Sequence, residues 1–202
     1  MTTDPAVLFF EAVADQLAAQ MESYTRARIP GRYMGELSES SWKPHVAKAI
    51  FALNQGHGSA LIDAWEQPLT EDPQNRREKV DLELYLYGER WGVEMKCLTA
   101  GGGHWIDAHR LLLSNKKYNR RFLLLAGPTT GAFKSVRDAQ QHLLKTEHWK
   151  ATVEGDKAGG DYKQVDAAWR ERNQDPPRIS AVLHGERPIG SSAAVGLIEI
   201  TI

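Results

Sequence analysis

The chain has 202 residues, 42% of them hydrophobic and 25% charged, which is length enough for one domain with a sizeable core and an ordinary balance for a globular protein. Its formal net charge of -1 excludes polyanion binding driven by overall charge and leaves local basic groups open. The single cysteine, Cys97, excludes an internal disulfide framework and a multi-cysteine zinc site; a reducing, cytoplasmic compartment and a buried structural thiol are the simplest readings.

In chain order, MTTDPAVLFFEAVADQLAAQ has no basic leader region and carries acids inside its apolar run, so it reads as neither signal peptide nor membrane span. Val7, Leu8, Phe10, Val13, Ala14, Leu17 and Met21 recur at helical spacing, with Asp4 placed to cap and Pro5 in the first helical position. A second helix is predicted in SESSWKPHVAKAIFALNQG, where Trp42, Val46, Ala49, Ile50 and Leu53 line one face. SALIDAWEQPL then reads as a strand and DPQNRRE as a polar turn.

EKVDLELYLYG alternates, placing Val80, Leu82, Leu84 and Leu86 on one face and Asp81, Glu83, Tyr85 and Tyr87 on the other. Gly88 with Glu89 and Arg90 suits a hairpin connection into WGVEMKCL, where Trp91, Val93, Met95 and Cys97 share one face and Glu94 and Lys96 the other. TAGGGHW reads as a glycine-rich loop, with His104 and His109 of GGGHWIDAH read as solvated and a reach to phosphate as the alternative; IDAHRLLLSNKKYN reads as a helix, and RFLLLAG as a strand buried on both faces. PTTGAFKSVRDAQQHLLKTEHW turns into another helix; its glycines and Lys134 miss the spacing of a phosphate loop. Residues 152 to 178 form a polar excursion with one short helix, and ISAVLHGERPIGSSAAVGLIEITI closes the chain as a hairpin. The expected class is α/β, a mixed central sheet flanked by helices.

Charged side chains rarely enter a strand core without a partner, so Glu94 and Lys96 need a reason. If the two alternating strands pair, Asp81, Glu94 and Lys96 converge. Two carboxylates beside an ammonium suit a hard divalent cation, and the main-chain carbonyl of Met95 offers one more oxygen. Such a site suits phosphodiester hydrolysis, the lysine either positioning a water or offsetting charge in the transition state.

Asp81 on one strand, Glu94-Met95-Lys96 on the next, a helix after it and RFLLLAG beyond resemble the PD-(D/E)xK nuclease superfamily, the restriction-endonuclease-like fold. The resemblance covers roughly residues 38 to 126, leaving 1–37 as an N-terminal helical segment and 127–202 as a C-terminal elaboration of a single domain. It implies a core of helix, three strands, helix and strand, and Mg²⁺-dependent cleavage, with Mn²⁺ as substitute. Asp81 and Glu94 are then the metal ligands and Lys96 the catalytic lysine. The superfamily often has proline before the aspartate; here it is Val80. Many members add a glutamate from the first core helix, for which Glu39 is the first candidate and Glu36 the second; a solvated first-turn acid favoured by the helix dipole is the alternative for both.

An acid followed two positions later by lysine is weak by itself, and Asp161 with Lys163 forms a second instance where no strand pair is predicted. The competing reading of Glu94 and Lys96 is a solvated hairpin face with a cross-strand ion pair. For a polyanion, the basic groups are RRE at 76–78, NKKYNRR at 115–121, and Arg26, Arg28 and Arg32, each equally readable as solubilising surface. Gln140 and Gln141 are available to read bases. The expectation is a metal-dependent endonuclease acting on DNA, with RNA also open, most concretely a type II restriction endonuclease, for which a homodimer is one assembly allowed. A catalytically silent relative that binds nucleic acid or protein, and an unrelated α/β interaction protein, are the alternatives.

Overall fold

The computed structural model describes residues 3–26, 39–57, 60–68, 79–97, 103–114, 117–129, 133–145, 160–189 and 193–202. Among the described residues, five helices and six strands follow in the order α1 (Pro5–Arg26), α2 (Glu39–His57), β1 (Ala60–Pro68), β2 (Lys79–Leu86), β3 (Glu89–Cys97), α3 (Gly103–Leu113), β4 (Arg120–Pro128), α4 (Val136–Leu144), α5 (Gly160–Glu171), β5 (Ser180–Pro188) and β6 (Ala193–Thr201). The strands form one mixed sheet in the order β1-β2-β3-β4-β6-β5. Only β3 and β4 run parallel; all other neighbours are antiparallel. A parallel pair needs a crossover, and α3 supplies it.

Each face of the sheet carries its own apolar layer. On the first, Phe9, Val13 and Leu17 of α1 and Trp42, Val46 and Ile50 of α2 meet Leu82, Leu84, Trp91, Val93, Met95, Phe122 and Leu124 of the sheet. On the second, Trp105, Ala108 and Leu111 of α3, Val136 and Leu143 of α4 and Trp169 of α5 meet Leu123, Leu125, Ile198 and Ile200. This is a three-layer α/β/α arrangement in which β4 is apolar on both faces, as its unbroken Phe-Leu-Leu-Leu-Ala run requires. Asp4 caps α1 as its position predicts, its Oδ1 accepting the Ala6 N–H at 2.9 Å. Ser135, the last residue of GPTTGAFKS, does the same for α4, accepting the Asp138 N–H at 3.0 Å.

Several local expectations change. The β2–β3 turn is Tyr87-Gly88, both at positive φ (52° and 82°), the signature of a two-residue hairpin loop with the twist that β-strands favour; Glu89 and Arg90 already belong to β3. Val80 joins the second apolar layer, not the first with Leu82, Leu84 and Leu86. The crossover helix starts earlier and ends earlier than its sequence pattern suggests. Asn119 then ties the chain to β3 at the start of β4: its N–H donates to Arg90 O at 2.8 Å and its Oδ1 accepts the Arg90 N–H at 2.8 Å. Glu83, placed by alternation on the polar face of β2, is 1% exposed. It accepts from Arg90 at 2.6 Å and from the Tyr118 hydroxyl at 2.5 Å, and those charge-assisted bonds make its burial tolerable.

Candidate active site

The site forms where β2 and β3 part. Their register runs from Leu86↔Glu89 to Leu82↔Val93 and stops there; one step further, the same register would set Asp81 opposite Glu94. Asp81 does not leave the β3 backbone unsatisfied at this end. Its Oδ2 accepts the Met95 N–H at 2.7 Å, replacing the strand carbonyl that a continuing ladder would have supplied. The aspartate is thereby fixed against the next strand, beside the two charged residues that β3 turns to the second face.

Glu94 lies across from Leu123 in the parallel register with β4 and is 7% exposed. Burial among apolar side chains, then the negative charge of Asp81, a hydrogen bond with Asp81 and the charge of Asp107, hold its pKa well above the ordinary glutamate range; Lys96 opposes this as the smallest influence. Glu94 shares a hydrogen bond with Asp81, and its burial beside that negative charge favours its protonated form. Two carboxyls at hydrogen-bond separation in a dry setting are a pair that a shared cation, proton or metal, holds together.

Lys96 is half-buried, with its Nζ 2.9 Å from Asp107 Oδ2. Asp107 sits in the first half of α3 and also faces Arg110 one turn on, at 3.8 Å. The site is thus a carboxyl pair on one side and an ammonium–carboxylate pair on the other. Asp81, Glu94 and Lys96, singled out by the sequence, are brought together; Asp107 was missed. The signal for it was topological: an acid early in the helix that crosses between parallel strands must pass over the end of the first of them.

The remaining candidates fall elsewhere. Glu39 is the first residue of α2, but its side chain, like the whole of Glu36, lies outside the described residues. The Met95 side chain is part of the first apolar layer. His104 and His109 are not solvated loop residues: both are on α3 and 2% exposed, and burial is the leading cause that lowers their pKa values to about 4 and about 3. His104 packs edge-on against Phe133, and His109 against Trp105 and Trp169. Asp161 and Lys163 lie in helix α5, where residues two apart do not share a face. Cys97 is partly buried against the first layer.

The basic groups are corrected in part. Arg120 is spent inside the protein, reaching Asp4 at 2.7 Å and Glu199 at 2.7 Å, while Glu199 also pairs with His184 at 2.7 Å. Arg121 lies over the Tyr118 ring and donates to the Tyr118 carbonyl at 3.5 Å. Lys117 is exposed. Arg28, Arg32, Arg76, Arg77, Lys116 and the side chain of Arg26 lie outside the described residues. Gln140 donates to Ala181 O at 2.8 Å, an α4–β5 bond that occupies its amide.

A divalent cation would have to be held by the carboxyl pair. Among the described residues no three His, Cys, Asp or Glu side chains form a metal cage. The carboxyl pair still fits Mg²⁺, which commonly takes one or two protein carboxylates and completes its shell with waters and substrate phosphate. Its two neighbouring carboxyls mark where opposite charge is needed. The fold and this site define an α/β protein with a carboxylate–lysine cluster at the splayed end of a hairpin. No family model, curated protein or solved structure matches the chain. Among the described residues no helix is long and apolar enough to cross a membrane.

Proposed function

We propose that the chain is a Mg²⁺-dependent endonuclease of the PD-(D/E)xK type that hydrolyses phosphodiester bonds in DNA, a cytoplasmic type II restriction endonuclease being the most concrete form. The observation that carries this reading is the convergence of Asp81, Glu94 and Lys96 at the parting of β2 and β3. The order α2-β1-β2-β3-α3-β4, with β1 to β3 antiparallel and β4 parallel to β3, supports it, because it has the core order that the resemblance implies.

When bound, the cation would polarise the phosphoryl group and lower the pKa of an attacking water. Asp81 and Glu94 would hold it; the Met95 carbonyl is a further oxygen on the same strand. Lys96 holds positive charge beside them, where it can orient the nucleophile or offset charge on the phosphate. The low exposure of Glu94 keeps water from weakening these interactions.

Plasmid cleavage in Mg²⁺, with Asp81→Ala and Lys96→Ala as controls, tests the reading. Both variants should lose cleavage by at least about a hundredfold, the usual scale for a preorganised electrostatic group. Unchanged cleavage in both would remove the assigned site. A catalytically silent relative is the second reading, favoured by the Lys96–Asp107 ion pair at 2.9 Å, which satisfies the lysine without any substrate. Binding of DNA with no cleavage of DNA or RNA would select it.

A further inference from the structure

We propose that Asp107 is a positioning residue for Lys96, fixing where the ammonium stands beside the carboxyl pair. The inference rests on the nuclease reading for its chemical purpose, and on the geometry for its substance. A lysine head on a four-carbon stem has no fixed place of its own. Here two acidic destinations compete for it: the Asp81–Glu94 pair, on the same face of the same hairpin, and Asp107 on the helix above.

The structure pairs it with Asp107, at 2.9 Å. That anchor is rigid, because its neighbours Ile106, Ala108 and Leu111 are buried in the second apolar layer and hold α3 against the sheet. Arg110, 3.8 Å away on the next turn, faces the other oxygen of the same carboxylate and steadies it. A site residue held by a packed helix stands more reproducibly than one held by a loop.

Two consequences follow for the site. An ammonium released from Asp107 is free to move onto Asp81 and Glu94, where it would oppose a divalent cation. Asp107 also keeps the ammonium at one fixed distance from the reacting phosphate. Groups that orient the residues of a metal site typically change affinity or activity by about 10–100-fold when removed.

Wild type, Asp107→Asn and Asp107→Glu would be compared in three measurements on the full chain. The first is the ¹⁵N signal of the Lys96 ammonium, assigned with Lys96→Arg. A slowly exchanging, ion-paired signal is expected in wild type and Asp107→Glu and should be lost or displaced in Asp107→Asn. The second is Mg²⁺ affinity by calorimetry, expected to fall about tenfold in Asp107→Asn and to recover in Asp107→Glu. The third is the kinetics of DNA cleavage, where Asp107→Asn should lower kcat by about 10–100-fold with KM little changed.

Arg110→Gln, which leaves the primary ion pair in place, should retain the Lys96 signal and guards against a general loosening of α3. If Asp107→Asn does not fold, the same ¹⁵N signal in wild type decides: a rapidly exchanging ammonium with no ion pair overturns the proposal. An identical Lys96 signal in all variants also overturns it. A wild type that cuts no nucleic acid would defeat the nuclease reading alone, since the ammonium signal and the Mg²⁺ titration judge Asp107 independently.

Discussion

Replacing Glu94 by glutamine should make the metal-free protein more stable at neutral and alkaline pH while removing the proposed cleavage. Glu94 is 7% exposed and shares a hydrogen bond with Asp81. Above the ordinary glutamate value of 4.5, the unfolded chain releases the proton that the folded chain retains. The raised pKa therefore subtracts stability as pH climbs from that value toward the folded pKa, and the penalty is complete above it. Glutamine supplies a hydrogen bond to Asp81 from an amide that never ionises.

A buried polar group placed at a disadvantage of this kind costs about 1–3 kcal/mol, so Glu94→Gln should gain about 2 kcal/mol at pH 8. For a chain of this size that is roughly 4–8 °C in Tm. Differential scanning calorimetry at pH 8 and pH 4.5, without and with Mg²⁺, reads it directly. The gain should shrink to a few tenths of a kcal/mol near pH 4.5, where the carboxyl stays protonated in the fold and is about half protonated in the unfolded chain. It should also narrow in Mg²⁺, because at ten times Kd a ligand adds about 1.4 kcal/mol to wild type alone. A lower Tm for Glu94→Gln at pH 8, or a gain undiminished at pH 4.5, would refute the charge-strained pair.

Three further outcomes are expected. Arg120→Met strands Asp4 and Glu199 and should cost about 3 kcal/mol in urea unfolding, while leaving the salt dependence of any DNA binding unchanged; a shallower salt slope would return Arg120 to the list of phosphate contacts. Gly92→Ala places a Cβ 2.9 Å from the Tyr118 ring, which Glu83 tethers by its hydroxyl, and should destabilise by about 1–3 kcal/mol; a neutral result would mean the ring can slide. His104 and His109 have pKa values lowered from 6.5 to about 4 and about 3, so the unfolded chain takes up their protons first and stability falls as pH drops below 6.5. His104→Gln and His109→Gln should each flatten that fall by up to one proton, about 1.4 kcal/mol per pH unit, in unfolding curves taken between pH 6.5 and pH 4.

The strands of the site were legible because alternation is a local property. Val93, Met95 and Trp91 against Glu94 and Lys96 is a period-two pattern that nothing distant has to complete, and both faces are placed as that pattern requires. The helical periodicity of α1 and the Asp4 cap were readable for the same reason. What failed depended on partners far along the chain. Glu83 was readable only as part of a polar strand face, whereas Tyr118, thirty-five residues on, buries it. Arg120 looked like part of a basic surface until Asp4 and Glu199 arrived from opposite ends of the sequence. Asp107 was hidden in an amphipathic helix, where an acid three residues before an arginine reads as an ordinary surface pair.

The parallel pairing of β3 with β4 has a further meaning for how the chemistry is inherited. Because the crossover must return over the strand it leaves, Asp81, Glu94, Lys96 and Asp107 are all encoded between positions 81 and 107, in one uninterrupted stretch. The later strands β5 and β6 widen the sheet beyond β4, on the side away from β3. The reactive cluster is therefore a cassette: the elements that follow β4 can be lengthened, exchanged or given new binding duties without rewriting the residues that would do the cutting.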